Sequence, residues 1–432
     1  MEWKNQLTKT PYLVLFVILG GVAVTTAYGL ITITLDGDVA ITENLLVNKD
    51  TFLVGELELR KGITIGETPQ IGVWNSRIPQ SNEIITLDSN GLVGRYSSIT
   101  IGADGLPIIS FKDDTNHELK IAKCLNVSCS AFFVAPIETA CSSFSSGHLT
   151  SIAIGTDGLP IISYQGDNCG LKVLKCGDAQ CTSGNIITPL DSSYFHSSIA
   201  IGVDGLPVIS YETGGFNDDL KVAKCNDTSC TSANITTINS SGRLSSIAIG
   251  ADGLPVISYE DISELVVVKC NDQSCSSFTN STIDSTGANG GYSSITIGGD
   301  GLPVISYFDD TNNDIKVAKC NNQSCSSSSF TIVDTTADTL GYTSITIGVD
   351  GLPVISYYDV SGKDLKVAKC TNQSCSSSIL TTVDSTGEVG IHNSIAIGAD
   401  GLPVISYSDG TNDDLKLVKC GSPYCISNWI RR

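Results

Sequence analysis

"SSITIGGDGLPVISYFDDTNNDIKVAKCNNQSC", residues 293–325, decides how this chain folds. Residues 293–298 alternate small and apolar side chains, as a strand with one buried face does. The turn "GGDGLP" supplies an Asp-Gly pair, which favours a tight hairpin, and a proline where the next strand starts. "VISYFD" (304–309) reads as a second strand, "DIKVAKC" (314–320) as a third and "SSFTIVDT" (328–335) as a fourth. Nearly the same phrase recurs seven times. Its turn aspartate stands at Asp104, Asp157, Asp204, Asp252, Asp300, Asp350 and Asp400. A period near 50 residues built from short strands predicts a β-propeller, not a helical solenoid. The expected fold class is therefore all-β, a seven-bladed propeller of four-stranded blades over residues 82–432.

Ring closure makes a sharper expectation. After Cys425 only "ISNWIRR" remains, too short for a full fourth strand. Before the first copy stands "NEIITLDSNG" (82–91), which matches the fourth-strand phrase "SILTTVDSTG" (378–387). Residues Glu83 to Asp88 should pair with the third strand of the last copy, Asp414 to Cys420, and close the ring.

The chain has 432 residues and a formal charge of −20, with six arginines. Nucleic acid and anionic lipid surfaces need clustered Lys and Arg, so neither is an expected partner. Helix is expected once. The uncharged run "PYLVLFVILGGVAVTTAYGLITITL" (11–35) is long enough to cross a bilayer. Lys4 and Lys9 precede it, which places the N-terminus inside and the remainder outside. Residues 1–35 thus read either as a single-pass signal anchor, with the membrane as partner, or as a signal peptide cleaved near Thr25 and Ala27. In both readings the rest is extracytoplasmic, at the cell surface or secreted. Residues 36–81 alternate apolar positions and read as a short β-rich stalk.

Sixteen cysteines agree with export. Fourteen form seven C-x4-C pairs, expected as disulfides: Cys124–Cys129, Cys176–Cys181, Cys225–Cys230, Cys270–Cys275, Cys320–Cys325, Cys370–Cys375 and Cys420–Cys425. Each closes a loop so short that chain entropy allows about 2 kcal/mol apiece. Cys141, in the crossover into the second copy, and Cys169, in that copy's second-to-third loop, should share one face and form an eighth bridge.

Propeller topology sorts the loops onto two faces. One carries the Asp-Gly turns and the cysteine loops. It also carries most of the Asn-x-Ser/Thr acceptor sites for glycosylation, at Asn126, Asn226, Asn234, Asn239, Asn280, Asn322 and Asn372. The turn aspartates themselves are read as structural. The other face holds residues three before each first-strand isoleucine: Tyr96, Leu149, His196, Leu244, Tyr292, Tyr342 and His392. The aromatic and imidazole members form either wedges between blades or a ligand-binding platform. Around them the second-to-third loops are acidic, notably Asp309, Asp310 and Asp314 in one copy and Asp409, Asp413 and Asp414 in another. Such oxygen-rich loops are either solvated turns or calcium sites. No other cofactor is expected.

The phrase "SIxIGxDGLPVISYYD…DLKVAKC" resembles the β-propeller repeats of secreted bacterial and archaeal cell-surface proteins. It is distantly similar to the Asp-box propellers of the sialidase superfamily, whose blades carry an Asp-Gly hairpin turn. The first resemblance implies a surface binding or display role. The second implies a carboxylate held by three arginines and a tyrosine nucleophile. Here the propeller offers only Arg95 and Arg243 before the terminal Arg431 and Arg432, and the Asp-box tryptophan is missing. Sialidase chemistry is not expected, nor is any catalytic residue assigned. The expected function is an exported binding or adhesion module for a carbohydrate or protein ligand. A structural envelope component is the alternative, and a glycoside hydrolase or lyase the less favoured one.

Overall fold

A computed structural model describes residues 23–27, 30–34, 81–139, 150–166, 170–192, 196–214, 218–286, 289–335 and 342–426. The chain divides into two units, 1–74 and 75–432. In the first, Ala23–Ala27 and Leu30–Thr34 pair as an antiparallel hairpin. Helix was expected at those ten residues. Their Val, Thr and Ile side chains are β-branched and suit a strand. The rest of the expected anchor or leader, and the stalk, lie outside the described residues. Among the described residues, no helix is long and apolar enough to cross a membrane.

The second unit is the expected propeller. Seven four-stranded antiparallel sheets follow one another. Blades 1 to 7 begin at Val93–Ile101, Ser151–Ile154, Ser197–Ile201, Gly242–Ile249, Asn289–Ile297, Thr343–Ile347 and Val389–Ile397. Each first strand lies beside those of its two neighbours, so the seven surround a central channel. In blade 5 the strands are Asn289–Ile297, Pro303–Asp309, Asp314–Cys320 and Ser328–Asp334. The second and third are buried throughout, while the fourth is half exposed. Closure occurs as expected: Glu83–Asp88 pairs antiparallel with Asp414–Lys419, with Ile84 opposite Val418.

Apolar packing lies between blades, not within them. Val304, Phe308, Ile315, Val317 and Val333 of blade 5 meet Ile345, Ile355, Tyr357 and Ala368 of blade 6 in one cluster. The same arrangement repeats around the ring, and across the closure Leu87, Val404, Leu415 and Leu417 meet Ile99, Ile109 and Phe111. A single sheet has two apolar faces and cannot cover either alone; its neighbours cover both.

Polar contacts repeat with equal regularity. In the Asp-Gly turns, Gly301 holds φ at +79°, a region glycine occupies without steric penalty. The Asp300 carboxylate accepts the Leu302 N–H at 3.1 Å and the buried Lys319 ammonium at 2.8 Å. Lys123, Lys175, Lys224, Lys269, Lys369 and Lys419 make the same contact in the other blades. The structural reading of these aspartates therefore holds. A second network escaped the sequence analysis. The aspartate ending a fourth strand takes the tyrosine and lysine of the next blade, as Asp284 does with Tyr307 at 2.8 Å and Lys316 at 3.2 Å.

All seven C-x4-C pairs are disulfides, with Cα–Cα distances of 4.7–4.9 Å. Cys141 and Cys169 lie outside the described residues.

The serines of the first strand form the seam. Before each inward-facing serine, a serine, Thr150, Thr343 or Asn393 bonds across to a neighbouring second strand, as Ser293 does with Ser258 at 2.8 Å. The inward-facing serine takes the backbone N–H of the following blade's isoleucine. Ser98, Ser151, Ser198, Ser246, Ser294, Ser344 and Ser394 all do so, at 3.1–3.3 Å. This second set lines the channel.

Candidate functional site

The lead-in to each first strand positions the candidate site. In blades 1, 4, 5 and 7 the pairing with the second strand slips just before the inward-facing serine. At that bulge Tyr96, Leu244, Tyr292 and His392 adopt φ between +49° and +55°. A bulge re-aims a side chain that ordinary alternation would send elsewhere. In blades 3 and 6 the strand starts later, and His196 and Tyr342 stand just before it.

The result is an arc over the channel mouth. Tyr96 and His392 rings lie 3.9 Å apart, His392 and Tyr342 4.3 Å, and Tyr342 and Tyr292 4.4 Å. His196 meets Tyr292 edge-on at 6.4 Å. Five residues from five blades thus touch in sequence, each bridging to another blade. Leu149 lies outside the described residues.

Burial shapes the chemistry of this arc. His392 is 8% exposed. Its Nε2 bonds the Tyr342 hydroxyl at 2.9 Å, while its Nδ1 has no hydrogen-bond partner among the described residues. Burial, then the Arg95 guanidinium and His196, push its pKa down to about 3, so it is neutral at physiological pH. Burial and the neighbouring Tyr292 push the Tyr96 phenol up to about 12. Tyr342 and Tyr292 are raised chiefly by burial. His196 Nδ1 pairs with Glu212, whose other oxygen accepts the Leu244 N–H at 2.7 Å.

Beside the arc the seven-fold pattern breaks. The residue after the "ISY" or "ISF" phrase is Lys112, Gln165, Glu212, Glu260, Phe308, Tyr358 and Ser408 in turn. The strand ladder sets Lys112 opposite Arg95 and Glu260 opposite Arg243. Around blade 1 the side chains are cationic, with Lys112 bonded to Asp114 at 2.8 Å. Around blades 3 to 5 they are acidic. Burial raises the Glu260 carboxyl, opposed by Arg243 and reinforced by Asp310 and Glu212. Asp310 is raised by burial and Asp309, and Asp218 by burial and Glu212. Sequence reasoning named Asp310 only as a calcium candidate and missed Glu212, Glu260 and Asp218. The available signal was that this column takes six residue types in seven copies, within an otherwise uniform phrase.

The acidic loops have a different role from the arc. Asp309 Oδ2 lies 2.6 Å from Lys316 Nζ and also accepts from Asn312 at 2.8 Å. Asp409 repeats this with Lys416 at 2.7 Å and Asn412 at 2.9 Å. Burial opposes ionisation of both, but the lysine contacts outweigh it and hold each carboxyl below its usual range. Asp314 and Asp414 are raised, by burial and by the aspartate that opens each loop. Asp413 holds φ at +60° in its turn. Among the described residues no three His, Cys, Asp or Glu side chains group as metal ligands would.

The acceptor asparagines fall into two kinds. Asn126, Asn322 and Asn372 cap their cysteine loops, each Oδ1 accepting a serine N–H at 3.0–3.1 Å. Asn239 donates to Asp261 at 2.7 Å. Asn226, Asn234 and Asn280 are exposed.

No known family matches this chain, and no curated protein does. Among solved structures it is similar to an ulvan lyase, a polysaccharide lyase, at 12% identity and a TM-score of 0.55, covering 78% of this chain and 95% of that one. It is also similar to a copper-bound fungal alcohol oxidase, at 10% identity and a TM-score of 0.51, covering 78% and 75%. The NanB sialidase of Streptococcus pneumoniae aligns at 10% identity and a TM-score of 0.43, covering 77% and 68%. At these identities the likeness to the lyase and the oxidase shows the fold alone.

Proposed function

We propose that the protein is an exported binding module whose arc-bearing face takes a carbohydrate. The observation that supports this most is the arc. Five blades contribute one Tyr or His each, and the rings form a continuous surface at the channel mouth. Tyrosine offers an apolar face for the C–H side of a sugar and a hydroxyl for its edge. The carboxylates of Glu212, Glu260 and Asp310 flank one side and accept hydrogen bonds from sugar hydroxyls. Seven disulfides suit an oxidising, extracytoplasmic setting.

A glycan array probed with the full-length protein tests this reading. At least one polysaccharide or oligosaccharide class should bind, and Tyr292→Ala should weaken it at least tenfold. Binding by none of the glycans, or binding unchanged by Tyr292→Ala, overturns it.

A second reading rests on the asymmetry of blades 3 to 5. Glu260, Asp310 and Asp218 have carboxyls raised above their ordinary range, Asp218 with His196 nearby, and such groups are acid–base candidates. Release of new reducing ends or of unsaturated sugar from any bound glycan, lost in Glu260→Gln, would assign an enzyme.

A further inference from the structure

The two ends of the arc differ in charge, and at one end the fold keeps a contact that it avoids elsewhere. In blade 1 the ladder sets Arg95 directly opposite Lys112, so two cations share one face of the sheet. Like charges placed so repel. Blade 4 shows the favourable version at the same two positions, with Arg243 opposite Glu260 and 4.0 Å between their charged atoms. In blades 5 and 7 the positions hold Gly291 with Phe308 and Ile391 with Ser408, which carry no charge. Asp114 offsets only part of the repulsion in blade 1. Its Oδ1 bonds the buried Lys112 at 2.8 Å, while its Oδ2 stands 3.9 Å from the Arg95 guanidinium, too far for a hydrogen bond. The Arg95 side chain is 43% exposed, and its guanidinium makes no hydrogen bond among the described residues.

That guanidinium stands beside the arc. Arg95 immediately precedes Tyr96, whose ring lies 3.9 Å from His392. Burial acts most on Tyr96, Tyr342 and His392, and the Arg95 charge reaches all three. At the other end, burial again acts most on Tyr292, and there the charges that reach it are the carboxylates of Glu212, Glu260 and Asp310. The ring surface is therefore polarised along its length.

We propose that Arg95 is the subsite for an anionic group on the bound sugar, a carboxylate or a sulfate ester, with the sugar ring lying at the Tyr96 end of the arc. The proposal rests on the carbohydrate reading above and names the class of glycan, an acidic one. A guanidinium presents its N–H groups as a planar fork that matches two oxygens of either anion. An anion there relieves the repulsion between Arg95 and Lys112 that Asp114 leaves. The carboxylates around Tyr292 repel the same group, so the acidic sugar is directed to blade 1 and hydroxyl-bearing sugars to blades 3 to 5.

The test measures binding to the full-length protein by calorimetry. The probes are uronate oligosaccharides, sulfated oligosaccharides, the carboxyl-reduced or desulfated counterpart of each, and inorganic sulfate alone. At least one acidic glycan should bind about tenfold or more tightly than its neutralised counterpart, and the difference should shrink as salt rises. Arg95→Gln should abolish that difference while leaving the neutral counterpart's affinity unchanged. Its melting temperature should be no lower than the parent's, because the repulsion with Lys112 goes too. Arg95→Lys, which keeps the charge without the fork, should retain part of the preference. Acidic and neutral forms bound alike, a preference that survives Arg95→Gln, or inorganic sulfate bound as tightly as the glycan overturns the subsite. If neutral glycans still bind and respond to Tyr292→Ala in that case, the carbohydrate reading stands without it. If no glycan of either kind binds, both fall.

Discussion

A buried histidine with one nitrogen unpartnered reports on itself through pH. His392 has a folded pKa of about 3 against an ordinary value of 6.5. Between those values the unfolded chain binds a proton that the folded one refuses, so stability rises with pH there. It should fall as pH drops from 6.5 towards 3. In His392→Phe the contribution is absent, and thermal melts across this range should be flatter than the parent's. An equally steep profile would show that the imidazole is not buried as described. At the seam, Lys319 is 6% exposed and bonds both Asp300 and the Leu302 carbonyl. Lys319→Met keeps the apolar stem and loses both bonds. Urea denaturation should show a loss of about 1.5–3 kcal/mol, the usual range for hydrogen bonds to a charged group.

At the scale of the element, the closing strand deserves the strongest test. Glu83–Asp88 comes from the start of the propeller and completes its last blade. Leu87, 4% exposed, enters the cluster that joins blade 7 to blade 1. Leu87→Ala should cost about 2–5 kcal/mol, as other core truncations do. Because the strand ties both ends of the ring, denaturant melts should also lose cooperativity. A change under 1 kcal/mol would mean that closure is carried elsewhere. The cysteine loops are local by contrast. Replacing Cys320 and Cys325 by alanine together should cost about 2 kcal/mol and leave the blade count intact.

For the whole molecule, acid is the revealing variable. The turn aspartates of blades 1 to 5 are held below their ordinary pKa; burial opposes this, but lysine and backbone contacts prevail. Asp309, Asp359 and Asp409 behave alike. For groups lowered in the folded state, stability is present above the unfolded pKa near 4 and vanishes as pH falls through the folded one. The melting temperature should drop steeply below pH 4, simultaneously for all blades if the ring melts as one. If the acceptor sites are used in the host, mass spectrometry should find glycans at exposed Asn226, Asn234 and Asn280 in preference to Asn126, Asn322 and Asn372. The latter are only half exposed within their cysteine loops.

The repeat, read as sequence, determined the blade, the count of seven, the closing strand and the seven local disulfides. All of these depend on residues near one another in the chain or on copies of one phrase. Tertiary structure alone decided the rest. The register before the first-strand isoleucine picked out the arc residues, but their ring-to-ring contacts exist only because bulges at Tyr96, Tyr292 and His392, and the lead-ins at His196 and Tyr342, bring five blades together. Asp309 and Asp409, which the sequence offered as calcium candidates, each pair with a lysine seven residues on, Lys316 and Lys416, across a strand turn. Glu212 and Glu260 were spelled out in the variable column after the tyrosine, and Asp310 in the loop that follows it. They became a cluster only when the ring placed Glu212, Glu260 and Asp310 side by side. Local propensity sets the strands, but a site assembled from different blades is a property of closure.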